Sequence, residues 1–254
     1  MRLVIKIGSS IVAPGGKLDP SRVRALVDQL DLVHHEHVLV TSGAIACGTS
    51  VFGTAQTPSR VIRMQAAAAV GQSRLMHTYE QLFFGKKVVA QLLLSSDDFS
   101  SPIRYRNLCH TIEELLRLKV LPIVNENDVV SVRELEGAFG DNDELSALVA
   151  TALGADWLIL LTDVEGFYRH NGSKQARLVR RINRFTPALE AECNGKSALG
   201  RGGMSSKLRA ARVATTGGAH VTIANGFHPD VIPLALRRRV GTYFPPQRRK
   251  RKGE

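Results

Sequence analysis

Two lysines lie where the sequence suits a phosphate-like anion. Lys6 lies near the end of the first strand-like run and is followed by Gly8 and two serines, so an anion can approach the backbone N–H groups. Lys207 follows a glycine-rich loop and lies in the first turn of a predicted helix, where amides, the helix dipole and the cation favour a polyphosphate. A lysine that extends to solvent from an edge strand would give the same pattern at Lys6. The loop before Lys207 lacks the Walker A spacing, so each motif alone is modest evidence for a phosphate site.

Two polar segments have the composition of a binding site for a small amino acid. Residues 125–128 (NEND) follow a predicted strand, and residues 140–143 (GDND) precede a predicted helix. Amides and carboxylates bind the ammonium and carboxylate groups of an amino acid, and one carboxylate can hold basic side chains beside a transferring phosphoryl group. Helix capping and turn formation use the same residue types, so each segment by itself leaves both interpretations open.

Three further segments give weaker signals. Residues 41–46 (TSGAIA) join a strand to a helix through small residues, which suits either an anion at a helix N-terminus or a tight packing turn. Thr162 and Asp163 follow a strand and offer a hydroxyl and a carboxylate to a nucleotide base or ribose, although a turn needs the same residues. Residues 66–71 (AAAAVG) favour close packing between helices over a binding surface.

Apolar strand-like runs alternate with helical patterns, and this order predicts an α/β fold with a mainly parallel sheet covered by helices on both faces. Ligands of such sheets gather beyond the carboxyl ends of the strands, where the polar segments above lie. The predicted strands are residues 3–8, 38–41, 88–94, 120–124, 157–161 and 221–224. One predicted helix begins at Pro20 after the N-cap residue Asp19, and the others span residues 60–84, 107–118, 143–153 and 207–216.

The positive charge is concentrated at the C-terminal end. The chain of 254 residues has a formal net charge of +11, but residues 237–252 hold eight Lys or Arg and no acid, which leaves +3 for the rest. This distribution, with no nucleic-acid-binding signature beside it, argues against a nucleic-acid partner. We expect one domain over residues 1–244 and a disordered basic tail over residues 245–254, where Pro245-Pro246 and five consecutive cations oppose regular structure.

The sequence also excludes some classes of protein. It has no run of about eighteen apolar residues and no secretory signal at its start, so we expect a cytoplasmic protein without a membrane partner. The three cysteines, Cys47, Cys109 and Cys193, are widely spaced and lack metal-ligand spacing, which predicts buried or free thiols.

Five segments in this order resemble the glutamate 5-kinases of the amino acid kinase family. They are residues 40–46 (VTSGAIA), 65–72 (QAAAAVGQ), 125–128 (NEND), 139–143 (FGDND) and 202–207 (GGMSSK). The resemblance runs from Leu3 to about Gly226. It implies a three-layer α/β/α sandwich with a central, mostly parallel sheet of about eight strands. It also implies ATP-dependent phosphorylation of the side-chain carboxylate of glutamate, the first step of proline biosynthesis, with Mg²⁺, feedback by proline and a dimer or tetramer.

The resemblance also implies roles for individual residues. Lys6 and Lys207 would flank the transferring phosphoryl group, and Asp143 would orient both. The residues implied for glutamate are Ser42, Asp128 and Asn142, with Asn125 and Asp141 as further contributors. The residues implied for ATP are Lys6, Gly8, Thr162, Asp163, Arg201, Gly202, Gly203, Met204, Ser205, Ser206 and Lys207. Mg²⁺ would be held by the phosphates of ATP, without direct protein ligands.

The sequence departs from the family pattern at a few positions and leaves alternatives open. Many relatives have Lys at the position of Met64 and Thr at the positions of Arg201 and Ser206. We expect a single-domain form without the C-terminal PUA domain of many glutamate 5-kinases. The alternatives are a kinase of the same family that acts on N-acetylglutamate, aspartate or carbamate, and a nucleic-acid-binding protein on an inactive kinase scaffold.

Overall fold

A computed structural model of the chain describes residues 1–52, 60–131, 142–171, 173, 175–193 and 203–247. The strands in these ranges are β1 (Arg2–Ile7), β2 (Glu36–Val40), β3 (Val89–Leu94), β4 (Leu121–Glu126), β5 (Trp157–Thr162), β6 (Tyr168–Arg169), β7 (Arg177–Leu178), β8 (His220–Asn225) and β9 (Thr242–Phe244). The helices are α1 (Ser9–Val12), α2 (Pro20–Asp31), α3 (Ala44–Phe52), α4 (Arg60–Phe83), α5 (Asp97–Ser100), α6 (Pro102–Arg117), α7 (Asn142–Ala152), α8 (Pro187–Cys193), α9 (Met204–Thr216) and α10 (Val231–Leu236), with a short 3-10 helix at Pro14–Gly16.

The central sheet has the strand order β3-β4-β2-β1-β5-β8-β9, and every neighbouring pair is parallel except β8 and β9. Its register sets Ile7 beside Leu161 and Val40 beside Val124, so the carboxyl ends of β1, β5, β2 and β4 lie at one edge. The sheet thus has seven strands in the described residues rather than about eight, because β6 and β7 pair with each other in a separate ribbon.

Side-chain alternation along the strands builds a core on each face of the sheet. In β1, Leu3 and Ile5 belong to the core beneath α2, α4 and α10, whereas Val4 belongs to the core beneath α6, α7 and α9. Neighbouring residues of a strand point to opposite faces, so a parallel sheet buried on both sides has almost continuous apolar strands. The three-layer α/β/α architecture is confirmed.

Helix starts follow local capping chemistry. Asp19 caps α2, since its carboxylate accepts hydrogen bonds from the N–H groups of Ser21 (3.0 Å) and Arg22 (3.3 Å). The start predicted at Asn107 is wrong, because α6 begins at Pro102 behind the N-cap residue Ser101. Serine followed by proline is itself a helix start signal.

Helices α3 and α4 touch through their backbones. A Cβ atom added to Gly48 would lie 1.8 Å from the carbonyl oxygen of Ala67, and one added to Gly71 would lie 1.8 Å from that of Ala44. Only glycine fits at such distances. The prediction that residues 66–71 serve helix packing is confirmed.

Several remaining expectations concern the ends and surface of the fold. Cys47 and Cys109 are free thiols, and the side chain of Cys193 lies outside the described residues. No helix in the described ranges is long and apolar enough to cross a membrane. The N–H of Gln247 binds the carbonyl oxygen of Thr215 at 2.9 Å. Residues 248–254 lie outside the described ranges, so the division into a domain and a tail stays a prediction.

Candidate active site

One buried carboxylate holds two lysines together. Asp143, in the first turn of α7, is fully buried, and its Oδ1 lies 2.7 Å from Nζ of Lys6. Its Oδ2 lies 3.1 Å from Nζ of Lys207 and accepts a hydrogen bond from Oγ of Ser206 at 3.2 Å. β1 supplies Lys6 and the first turn of α9 supplies Lys207 and Ser206, so three elements distant in sequence meet at this carboxylate.

The charges of this cluster suit an anionic ligand. Lys6 and Lys207 are 4% and 7% exposed, and both are paired with the carboxylate of Asp143. Buried charges need partners of opposite charge, and two ammonium groups held beside a cavity attract an anion. Fixed ammonium groups of this kind can stabilise the charge that develops on a transferring phosphoryl group.

A cavity of about 410 Å³ adjoins Lys6. Its wall contains four polar residues that the sequence analysis assigned to glutamate, with small residues of α1 and α3 around them. The lining residues are Lys6, Ser9, Ser10, Ala13, Gly16, Ser42, Gly43, Ala44, Ile45, Ala46, Thr49, Asn125, Asp128 and Asn142. The structure therefore brings the predicted residues from the ends of β1, β2 and β4 and the start of α7 to one pocket.

The turn from β2 into α3 sets the position of Ser42. Gly43 has φ of +104°, a conformation that residues with a side chain rarely adopt, and a Cβ there would also approach Val12 to 3.1 Å. The Thr41 hydroxyl is hydrogen-bonded to the hydroxyl of Tyr79 at 2.8 Å, which ties the turn to α4. Burial raises the pKa of Tyr79, so this hydroxyl stays neutral.

Ser42 and Asn142 form a pair on the cavity wall. Nδ2 of Asn142 donates to Oγ of Ser42 at 3.0 Å, and Oδ1 of Asn142 accepts from the backbone N–H of Glu126 at 3.3 Å. Because the Ser42 oxygen accepts this bond, its O–H remains available to donate to a ligand. Asp128, which is 6% exposed, supplies a carboxylate to the same cavity.

Asn125 is held from two sides. Its Oδ1 accepts from the N–H of Glu126 at 2.9 Å, and its Nδ2 donates to Oε1 of Gln72 at 2.8 Å. Gln72 was not predicted as part of the site, and the neighbouring residues 66–71 were expected to serve helix packing. A glutamine that follows an alanine-rich run on a buried face was the available signal, but its partner is fixed only by the tertiary structure.

The residues predicted for ATP lie at the ends of β1 and β5 and the start of α9. Thr162 is buried and donates to the exposed Asp163 at 3.1 Å. Gly8 is close to Lys6, but its N–H already donates to the carbonyl oxygen of Leu161 at 3.2 Å, so this amide is not available to a phosphate.

The glycine-rich segment is described only from its last glycine onward. Gly203 is the N-cap residue of α9, and Met204 and Ser205 are half-buried in its first turn. Three predicted site residues, Asp141, Arg201 and Gly202, lie outside the described residues. In the described part of the chain, no three His, Cys, Asp or Glu side chains are grouped as ligands for a metal ion.

Comparison with known proteins identifies the family. The model of the amino acid kinase family matches residues 1–225. The glutamate 5-kinase of Synechococcus sp. (strain JA-3-3Ab) is 43% identical over 254 residues, which cover 96% of this chain and 68% of that enzyme. The glutamate 5-kinase of Clostridium acetobutylicum is 42% identical over 256 residues, which cover 97% of this chain and 95% of that enzyme.

Solved structures of lower identity share the fold. A carbamate kinase from Giardia lamblia bound to AMP-PNP has a TM-score of 0.64 and 20% identity, and the match covers 97% of this chain and 98% of that chain. An isopentenyl phosphate kinase in a substrate complex has a TM-score of 0.67 and 17% identity, with coverage of 96% and 99%. The chain belongs to the amino acid kinase family, and its relatives at more than 40% identity place it among the glutamate 5-kinases.

Proposed function

We propose that the protein phosphorylates the side-chain carboxylate of L-glutamate with ATP and produces L-glutamyl 5-phosphate and ADP. The observation that carries this proposal is Asp143 holding Lys6 and Lys207 beside a cavity lined by Ser42, Asn142 and other polar residues. The glutamate 5-kinases of Synechococcus and Clostridium support the choice of glutamate as substrate.

The reaction needs placement and charge stabilisation rather than a base. An oxygen of the glutamate side-chain carboxylate forms a bond to the γ-phosphorus while the bond from that phosphorus to the β–γ bridging oxygen breaks, and the electron pair leaves with ADP. No proton is transferred, because the carboxylate is already ionised at pH 7. Lys6 and Lys207 neutralise charge on the phosphoryl oxygens, and Asp143 keeps both ammonium groups in position.

The polar wall of the cavity accounts for recognition of an amino acid. In our proposal, the O–H of Ser42 and the remaining N–H of Asn142 donate to a carboxylate of glutamate. The carboxylate of Asp128 attracts the ammonium group. Asn125 contributes mainly by shaping the wall, since Gln72 and Glu126 occupy its amide.

The donor set suits the polyphosphate of ATP more than a metal bound directly to protein. Asp143 is occupied by two lysines, and lysine ammonium groups donate to phosphate oxygens and cannot ligate a cation. Mg²⁺ would therefore be held by the phosphates of ATP and would neutralise part of their charge. The start of α9, from Gly203 to Lys207, with Thr162 and Asp163, is proposed for the nucleotide. The carbamate kinase of the same fold is bound to AMP-PNP, which supports ATP as the nucleotide substrate.

Three finer properties belong to the proposal, and the last two rest on the resemblance to glutamate 5-kinases. They are a cytoplasmic location, feedback inhibition by proline and a homo-oligomeric state. Inhibition of the purified enzyme by proline and its mass by light scattering would test the last two.

The activity can be tested with a panel of acids. Purified protein is incubated with ATP, Mg²⁺ and hydroxylamine, and hydroxamate and ADP are measured for glutamate, N-acetylglutamate, aspartate and carbamate. We expect ADP and hydroxamate in equal amounts with glutamate. If another acid is preferred, that acid is the substrate and the proposal of glutamate is wrong. Absence of turnover with all four acids would contradict kinase activity.

A further inference from the structure

Gln72 is a buried polar residue of α4 that contacts the cavity wall without lining it. It is 8% exposed, and its Oε1 accepts the hydrogen bond from Nδ2 of Asn125 at 2.8 Å. Its Nε2 has no hydrogen-bond partner in the described part of the chain. A buried amide group without a partner lowers stability, so packing and stability alone do not explain a glutamine at this position.

The bond from Gln72 is the first of a series that ends at the cavity. Asn125 and Asn142 both accept from the N–H of Glu126, at 2.9 and 3.3 Å, and Asn142 donates to Ser42 at 3.0 Å. The series thus links α4 to β4, to α7 and to the turn after β2. β4, α7 and the turn after β2 each contribute a residue to the cavity wall. Within the described residues, α4 contributes no lining residue, but its Gln72 binds the lining residue Asn125 from behind.

The two partners of Asn125, in the orientations that they have in this structure, favour one orientation of its amide. A rotation that exchanged its oxygen and nitrogen would set its NH₂ group against the N–H of Glu126 and its oxygen against Oε1 of Gln72. Both contacts would then join like groups, two donors or two acceptors. Without Gln72, only the Glu126 bond would oppose this rotation, and an Asn125 that rotated would also disturb the N–H that it shares with Asn142.

The residue before Gln72 packs closely against α3. Gly71 allows α4 to approach α3 so closely that a Cβ would lie 1.8 Å from the carbonyl oxygen of Ala44. Ala44 itself lines the cavity. The backbone contact thus packs α4 against a helix that lines the cavity, next to the position from which Gln72 binds Asn125.

We propose that Gln72 is a positioning residue for glutamate: it orients the Asn125 amide and, through the shared N–H of Glu126, the Asn142–Ser42 pair, and it does not touch substrate. This inference rests on the proposed function. It predicts an effect confined to glutamate, because the series of hydrogen bonds does not include Lys207, Thr162 or the start of α9.

Replacement by methionine separates positioning from stability. Gln72→Met removes the acceptor for Asn125, but it also removes the unpartnered Nε2, so the melting temperature should change by less than about 2 °C. The KM for glutamate should rise roughly 5- to 30-fold, the change expected for one or two lost polar interactions, and the KM for ATP should stay within about twofold.

Gln29 provides a matched control. It is a second buried glutamine, 7% exposed, whose Nε2 donates to the carbonyl oxygen of Ala25 and whose Oε1 accepts from the N–H of Ile232, both at 3.0 Å. Gln29→Met leaves the N–H of Ile232 without its acceptor, so the melting temperature should fall by about 2–4 °C or more. Both KM values should remain those of the wild type.

A double-mutant cycle tests whether Gln72 acts through Asn125. The KM for glutamate is measured for Gln72→Met, Asn125→Ala and the double variant. If Gln72 acts through Asn125, the double variant should be within about twofold of Asn125→Ala alone, since residues of one network are not additive. Gln72→Ala, which also removes the acceptor, replaces Gln72→Met in every arm if the methionine variant does not fold.

The outcomes distinguish this inference from the proposed function. If the wild type is active, three results would overturn the inference alone. They are an unchanged glutamate KM in Gln72→Met, multiplicative effects in the double-mutant cycle, and equal rises in the KM values for glutamate and ATP. A wild type without glutamate-dependent formation of ADP would overturn the proposed function and the inference with it.

Discussion

Nζ of Lys6 lies 2.7 Å from Oδ1 of the fully buried Asp143, so an ion pair joins β1 to the first turn of α7. Lys207 joins the same carboxylate at Oδ2. A single anion that fixes two cations can place both ammonium groups before the substrates bind. Such preorganisation is the form of electrostatic catalysis that phosphoryl transfer uses most.

The two lysines should matter for turnover far more than for binding. We expect Lys6→Met and Lys207→Met each to lower kcat by roughly 10²- to 10³-fold, because each removes one fixed charge beside the transferring group. Lys86→Met is the control, since Lys86 pairs with Asp28 and Asp31 at the surface and should not affect kcat. Steady-state kinetics measures kcat for each variant. If a variant retains more than about a tenth of wild-type turnover, its lysine does not stabilise the transferring group as proposed.

Residues of the cavity should affect glutamate selectively. Asn142→Ala and Asp128→Ala should each raise the KM for glutamate by the equivalent of about 1–3 kcal/mol, with the KM for ATP nearly unchanged, because a polar group of the substrate loses its partner. Asn142 also begins α7, so Asp19→Ala serves as the capping control. That variant should lose about 1 kcal/mol of stability without a change in either KM.

If both KM values rise together in Asn142→Ala, and its stability falls as in Asp19→Ala, then Asn142 supports the helix rather than the substrate. Measurement of both KM values and of urea unfolding on the same preparations separates these two roles.

The contact between α3 and α4 should not tolerate a methyl group. Gly71→Ala would force a Cβ to 1.8 Å from the carbonyl oxygen of Ala44, so we expect a loss of about 3 kcal/mol or more in the free energy of unfolding. Ala69→Gly, at an exposed position of the same helix, should cost only about 1 kcal/mol. Chemical denaturation measures both, and similar losses in the two variants would contradict the tight contact.

Acid should destabilise the fold through His37. Burial, and then the charge of Lys87, lowers the pKa of this residue to about 4, from about 6.5 in an unfolded chain. As the pH falls from 6.5 towards 4, the unfolded state binds the proton first, so the stability present above pH 6.5 is progressively lost. His35 and Asp31 also act on this ring, and Asp31 opposes the shift.

His37→Gln removes this titration. Between pH 7 and pH 5, we expect the free energy of unfolding of the wild type to fall by about 1–2 kcal/mol more than that of the variant. Urea unfolding at the two pH values gives the difference, and equal losses in both proteins would contradict a buried neutral His37.

Sequence reasoning succeeded where local patterns are strong. The alternation of strands and helices predicted the parallel sheet, and the rule that ligands gather at the carboxyl ends of its strands led to Lys6, Ser42, Asn125 and Asp128. These four residues do line one cavity. The Asp19-Pro20 signal located the start of α2 because capping is a local property.

Other features depend on tertiary structure and were not predicted. β9 has three residues and joins the sheet antiparallel, so it lacks both the length and the crossover helix that mark the other strands. The bond between Gln72 and Asn125 joins residues 53 positions apart in the sequence, and it depends on how α4 packs on the sheet. That Asp143 serves both Lys6 and Lys207 was expected from the family resemblance alone, since no periodicity in the sequence shows it.

The central claim is that Asp143 positions two lysines for phosphoryl transfer to glutamate, and Asp143→Asn tests it most directly. This change removes a negative charge beside the proposed phosphate site, so ATP should bind at least as tightly as to the wild type, while the lysines lose their fixed positions. The measurement is kcat for glutamate together with the Kd for ATP, on protein whose circular dichroism spectrum shows an intact fold. We expect kcat to fall by roughly 10²- to 10³-fold with an unweakened Kd. Retention of more than about a tenth of wild-type kcat in folded Asp143→Asn protein would contradict this account of the site.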